Sequence, residues 1–168
     1  MRHQSHLQCI GAVFGGTAIE LAGRVIDPIY QARGIGSHML RTYISDSAAT
    51  FVTTYTRNPS VLGMIRTVAD TIYPIHKDDE LEAVAKSMPN ALVPINNVVY
   101  HYNRYGDDGL YVGEDPADRP HPHMDMALKH AFPGLKHPGN ALIVAARVMQ
   151  SVVKTQIDGA TDITELRV

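Results

Sequence analysis

Residues 18–40 read AIELAGRVIDPIYQARGIGSHML. The first half alternates. Ile19, Leu21, Gly23 and Val25 fall on one side of an extended chain, and Glu20, Ala22, Arg24 and Ile26 on the other. That is the period of a strand. Pro28 lacks a ladder donor and ends regular pairing. From Gly34 to about Ser45 the apolar residues Ile35, Met39, Leu40 and Ile44 come at near-helical spacing, so a helix follows. Gly34 and Gly36, with Arg33 just before them, sit where the extended segment becomes that helix. A helix has no internal partner for its first-turn N–H groups, and its dipole makes that end positive. Glycine lets an anion approach those groups without a Cβ in the way. Arg33 adds a permanent charge with a forked donor set. The ligand favoured by this arrangement is a phosphate or pyrophosphate. The same glycines also fit a plain tight connection between strand and helix. No Lys-Ser/Thr follows the second glycine, and Met39 occupies the third position of a dinucleotide fingerprint, so neither of those phosphate motifs is present.

Outward from this stretch, Leu7 to Gly15 is short and apolar and ends at Gly15-Gly16, which predicts a hairpin with the Ile19–Ile26 strand. Ala49 to Thr56 is rich in β-branched and aromatic residues and predicts a buried strand. Asn58-Pro59 then suits the cap and first position of a second helix. Val61, Ile65, Val68 and Ile72 form one stripe at helical spacing, and Pro74 ends it. Residues 7–74 thus read β-β-α-β-α. Beyond them, DDELEAVAKSM predicts a helix with Asp78 and Asp79 at its positive end. A strand is expected near Asn97 to Tyr102, a short helix in PHMDMALKHAF, and a strand over Ala141 to Ala146. Gly106 to Pro122 and Pro133 to Gly139 read as loops. One α/β domain spanning residues 1–168 accommodates these elements.

Composition narrows the functional classes. The chain has 168 residues, a formal net charge of −2 and one cysteine, Cys9. No electrostatic pull toward nucleic acid or anionic lipid follows from that charge. A single cysteine permits neither an intramolecular disulfide nor a cysteine metal cluster. The N-terminus lacks the long apolar region of a signal peptide, and no run reaches the roughly 20 apolar residues of a membrane span. A reducing, cytoplasmic setting is expected.

The stretch resembles the central motif of the GCN5-related N-acetyltransferases, the GNAT superfamily. That motif has the form E-L-x-x-x-V-x-P-x-Y-Q/R-x-x-G-x-G/A-S-x-L/M-L. Glu20, Leu21, Val25, Pro28, Tyr30, Gln31, Arg33, Gly34, Gly36, Ser37 and Leu40 fall on its positions. The resemblance covers about residues 10–74. It implies a mixed central sheet flanked by helices, with acetyl-CoA as acyl donor and an amine as acceptor. It further implies that the backbone of Gln31, Ala32, Arg33, Gly34, Ile35, Gly36 and Ser37 holds the pyrophosphate. The strand edge at Val25 and Ile26 would pair with the pantetheine arm, and Asn58 would open the helix beside the cofactor. The chain departs from the pattern in front of the hairpin, where the family carries a strand, two helices and another strand. A shortened fold is expected there, walled by its second half or by a partner chain. The Leu7–Gly15 strand is then expected at or near an edge, covered by a homodimer partner or by the second half.

Acyl transfer to an amine needs a base, because an amine near pKa 10 is mostly protonated at neutral pH. Glu20 is the candidate base and matches the family position. A solvated residue on an exposed strand face is the competing reading. An amide near Val25 would donate to the tetrahedral intermediate. The family places its acid, a tyrosine, two turns after the helix-opening asparagine. That position here is Ile65, which has no proton to give, so Tyr73 at the end of the same expected helix is the candidate. The alternative to an enzyme is a non-catalytic module that binds CoA or acts through partners.

His121, His123, Asp125, His130 and His137 lie close in sequence. They fit solvated loop positions and helix ends better than an established metal spacing, and no metal is expected. Tyr100, His101 and Tyr102 in the predicted strand cluster with Tyr105 just beyond it, as packing or as the wall of an acceptor pocket.

Overall fold

A computed structural model describes residues 6–13, 15–22, 33–89, 91–109, 113–121 and 124–152. The chain begins with a hairpin, β1 (His6–Val13) and β2 (Gly16–Ala22), paired antiparallel from Val13↔Gly16 to His6↔Ala22. A Cβ on Gly16 would lie 2.1 Å from the Thr50 hydroxyl, so a side chain there would force Thr50 to shift. Helix α1 (Ile35–Ser47) crosses over to β3 (Phe51–Thr56), which lies parallel to β2 with Ala18↔Phe51 through Leu21↔Thr54 in register. Parallel neighbours require such a crossover. Helix α2 (Pro59–Arg66) follows, then β4 (Ala69–Tyr73), helix α3 (Asp79–Ser87), and the hairpin β5 (Ala91–Ile95) and β6 (Val98–His101). A two-stranded ribbon, β7 (Pro120–His121) and β8 (Met124–Ala127), leads into the short helix α4 (Leu128–Ala131). The last described strand is β9 (Ala141–Val148).

Among the described residues the main sheet has seven strands, ordered β1-β2-β3-β9-β6-β5, with β4 also paired to β9. It is mixed: β2 and β3 run parallel, and the other pairs are antiparallel. Strand β9 is buried on both faces and alternates between them. Leu142, Val144, Ala146 and Val148 join an apolar cluster with Leu40 and Ile44 of α1 and Leu62 and Ile65 of α2. Ile143 and Ala145 join the opposite cluster with Leu81, Val84 and Ala85 of α3. Helices therefore flank the sheet on both faces. Among the described residues β1 ends the strand order, the edge position expected for the Leu7–Gly15 strand. At the other end of the described order, Pro94 lies within β5 and has no N–H to offer a further strand.

Two expected helices are corrected. The stripe from Val61 to Ile72 is not one helix. Helix α2 stops at Arg66, and Ala69–Tyr73 is a strand. Val68 and Ile72 are buried either way, because a spacing of four returns to the same side of a helix and, being even, also fits a strand. β-branched Thr71 and Ile72 with Tyr73 suit the strand, and β9 supplies the pairing. Tyr73 accordingly ends a strand, not a helix. In PHMDMALKHAF, Met124–Ala127 is strand, and only Leu128–Ala131 is helical. Asp78, expected at the positive end of α3, is its N-cap: its carboxylate accepts from the Leu81 N–H at 2.9 Å.

Candidate functional site

Helix α1 ends just before β3 begins, and a crossover helix between parallel strands runs back along them, so its first turn points toward their carboxyl end. Helix α2 starts directly beyond the end of β3, and both pack on the same sheet face. In open α/β sheets that end is where ligands bind. Gly34 caps α1 with φ 74° and ψ 3°, and its carbonyl accepts from the His38 N–H at 2.9 Å. This left-handed backbone favours glycine. A Cβ on Gly34 would meet nothing within 4 Å among the described residues. Arg33 and Ile35 are exposed, while Gly36 and Ser37 are half-buried. Val25, Ile26, Gln31 and Ala32 lie outside the described residues. Asn58 caps α2, its side-chain oxygen accepting from the Ser60 N–H at 2.9 Å, and Pro59 follows at the first helical position.

Glu20 is 9 % exposed, which removes the solvated-face alternative. It shares a sheet face with Ala18 and the α3-side cluster, opposite Ile19 and Leu21. Its register partner is Thr53, then Ala145 on β9, then Tyr73 on β4. The two candidate catalytic side chains therefore stand in one row but three strand spacings apart, about 14 Å between Cα atoms. The Tyr73 hydroxyl accepts from the Val99 N–H at 2.9 Å and donates to the Asn97 carbonyl at 3.4 Å. Burial, partly offset by the Val99 hydrogen bond, pushes its pKa above the ordinary tyrosine value. Tyr73 ties β4 to the β5–β6 hairpin and is not brought beside Glu20. Ile65 is fully buried in the core.

The structure places a nearer set on Glu20's face. Phe51, Thr53 and Tyr55 alternate onto it, as does His101 through its partner Ala141. Tyr55 lies two residues beyond Thr53, about 8 Å from Glu20 between Cα atoms. Its described pairing is with β9 alone, because the β2–β3 register ends at Leu21↔Thr54. The Arg104 guanidinium lies 4.2 Å from the centre of the Tyr55 ring and donates to the Tyr55 hydroxyl. His101 meets the same ring edge-on at 5.6 Å. Tyr102, 53 % exposed, packs on His137 with centroids 5.8 Å apart. Sequence reasoning grouped His101 and Tyr102 but missed Tyr55 and Arg104. The parity of Thr53 and Tyr55 with Glu20 held the signal for Tyr55, whereas Arg104 comes from a loop and left none. Tyr100, although adjacent, faces the other way, and its ring fills the space a Cβ on Gly134 would need.

Behind Asn58, Arg57 is buried at 1 % exposure. It donates to the carbonyls of Leu135 at 2.8 Å, His137 at 2.8 Å and Asn140, and to both carboxylate oxygens of Asp115. Burial pushes the Asp115 carboxyl up, but hydrogen bonds from Arg57, the Ala117 N–H and Lys129 together outweigh it and hold its pKa below the usual value. This network fixes the end of β3 against residues 133–140. A cleft of about 310 Å³ lies over it, and another of about 420 Å³ runs along α1 beside His38, Arg41 and Thr42. Neither is lined by Glu20 or the Gly34 turn. Among the histidines, His130 is exposed, and the His137 ring nitrogen accepts from the Gly139 N–H at 3.2 Å. Among the described residues no group of three or more His, Cys, Asp and Glu is placed to hold a metal.

The fold and site define a mixed α/β protein with a buried carboxylate on a parallel strand pair, the first turn of α1 pointing toward the pair's carboxyl end and α2 starting beyond β3. Among the described residues no helix is long and apolar enough to cross a membrane. No protein-family model, curated protein or solved structure matches the chain.

Proposed function

We propose that this chain is a GNAT-like, acyl-CoA-dependent N-acyltransferase that moves acetyl from acetyl-CoA to an amine of a small molecule or peptide. The observation that carries the reading is the unit β2–α1–β3: parallel strands, a buried Glu20 between them, and a crossover helix opening on left-handed Gly34 toward their carboxyl end. This order and geometry agree with what the 18–40 motif implies. In this reading the backbone from Gln31 to Ser37 holds the pyrophosphate, the dipole of α1 favours its charge, and Asn58 lies beside the cofactor at the start of α2. The pantetheine arm runs along the strand edge at Val25 and Ile26.

The chemistry then follows. Glu20, directly or through one water, takes a proton from the acceptor ammonium. The neutral nitrogen attacks the thioester carbonyl and a C–N bond forms; as the C–S bond breaks, the nitrogen gives its second proton to the departing sulfur, or to water when the sulfur leaves as thiolate. A thiol of ordinary pKa about 8.5 is a tolerable leaving group without strong acid help, so the distance of Tyr73 and the apolar Ile65 do not block the reaction. Calorimetric titration with acetyl-CoA and with CoA, followed by CoA release in the presence of amines, tests the reading. Absence of acetyl-CoA binding defeats it. Tight binding with no acetylated amine favours a CoA-binding module, the reading to which Ile65 in the family's tyrosine position points.

A further inference from the structure

Among the cations whose partners are described, Arg41 donates to the Thr67 carbonyl and Lys86 pairs with Glu82. Arg57, Arg119, Lys129 and Arg147 each lie within ion-pair distance of a carboxylate. Arg104 instead rests on the Tyr55 ring and donates to its hydroxyl, with no ion pair to a carboxylate among the described residues. Stacking on an aromatic face holds a guanidinium in place while leaving most of its donors turned outward. The Tyr55 oxygen accepts from Arg104, so its own hydrogen is directed elsewhere as a second donor. Two donors thus converge beside an exposed positive charge.

Tyr55 stands on the same sheet face as Glu20, about 8 Å from it between Cα atoms, and Arg104 lies over its ring. Tyr55 lies past the last β2–β3 pair, and Glu20 and Arg104 are not within ion-pair distance of one another. A carboxylate and a guanidinium held apart on one face complement a molecule that carries the opposite charges in the opposite order. We propose that Arg104 and Tyr55 form the carboxylate subsite of the acceptor, so that the acceptor is a zwitterion, an amino acid or a similar small amine with a free carboxylate. The proposal rests on the acyltransferase reading for the role of Glu20. The acceptor's ammonium faces Glu20, and its carboxylate takes the Arg104 fork and the Tyr55 hydroxyl. Hydrogen bonds between ionised groups are the strong ones, and Arg matches a carboxylate with two parallel donors.

The test uses matched acceptors: L-alanine against L-alaninamide, and L-lysine against L-lysinamide. Release of CoA from acetyl-CoA is measured, together with equilibrium binding of each acceptor to the CoA-loaded protein. The free acids should be preferred by roughly 10- to 100-fold, the worth of a charge-assisted contact. Arg104→Met should raise KM for the acids more than it lowers kcat and bring acid and amide together, with acetyl-CoA affinity unchanged. Tyr55→Phe should move the preference the same way by less. Equal use and equal binding of acids and amides by the wild type would overturn the proposal, as would a preference that survives Arg104→Met. Failure of the acyltransferase reading looks different. Acetyl-CoA then does not bind, or no amine reacts, while a carboxylate preference in binding that Arg104→Met abolishes would still support the subsite.

Discussion

Glu20 and Tyr73 stand in a single row across four strands, linked through Thr53 and Ala145. The row sets them on one face but too far apart to act on one bond. The Tyr73 hydroxyl is instead an acceptor for the buried Val99 N–H. Tyr73→Phe removes that acceptor and leaves a buried donor without it, at a cost of about 1–3 kcal/mol. The urea midpoint should fall accordingly, while acetyl-CoA affinity and turnover stay at wild-type values. A variant of unchanged stability but much reduced turnover would return Tyr73 to the chemistry.

Glu20→Gln keeps the shape of the row and removes the proton acceptor. Acetyl-CoA affinity should hold, because the expected phosphate turn lies beyond the end of β2. Turnover at pH 7 should fall by roughly 10²- to 10⁴-fold, the usual share of a general base. Part of the loss should return as pH rises, because more of the amine is then already neutral. Turnover equal to wild type from pH 6 to 9 would place the base elsewhere.

The first half of the fold was legible because local signals agreed with tertiary demands. Alternation gave β2, the Asn58-Pro59 pair gave the start of α2, and Asp78 gave α3. The end of α2 was not legible, because Val61, Ile65, Val68 and Ile72 keep a spacing that buries them on a helix, and only pairing with β9 decides for a strand. The Glu20 neighbourhood was half legible. Parity with Thr53 follows once β2 and β3 are known to be parallel and in register, a long-range fact absent from either strand alone. Arg104 reaches Tyr55 across a sequence separation of 49, and nothing local announces that contact.

Gly34 separates backbone strain from ligand exclusion. Its φ of 74° penalises any side chain, yet a Cβ there has no neighbour within 4 Å among the described residues. Gly34→Ala and Gly34→Glu should therefore lose similar stability, about 1–2 kcal/mol, the cost of a left-handed residue. Acetyl-CoA affinity should separate them. The alanine variant should bind with a modest loss, and the glutamate variant, which sets a negative charge at the first turn, should bind very weakly. Unchanged affinity in Gly34→Glu would remove the pyrophosphate from this turn.

Arg57 and Asp115 offer a test of what holds the end of β3 in place. The guanidinium is 1 % exposed and the carboxylate 17 %. Removing the carboxylate strands a buried cation, so Asp115→Asn should cost about 3–5 kcal/mol near neutral pH. The hydrogen bonds from Arg57, the Ala117 N–H and Lys129 outweigh burial and leave the folded Asp115 pKa below its ordinary value of 3.8. The stabilisation from its charge is then complete above the unfolded value and lost as pH falls through the lower folded one. Asp78, whose pKa is also lowered, first by the Leu81 N–H and against the pull of burial, titrates in the same window, so the wild-type curve alone does not isolate Asp115. The difference between wild type and Asp115→Asn does. That gap should stay constant from about pH 8 to pH 5 and shrink below about pH 4, as read from urea midpoints at each pH. A gap that persists unchanged into strong acid would mean that Asp115 acts through hydrogen-bond geometry alone, with no contribution from its charge.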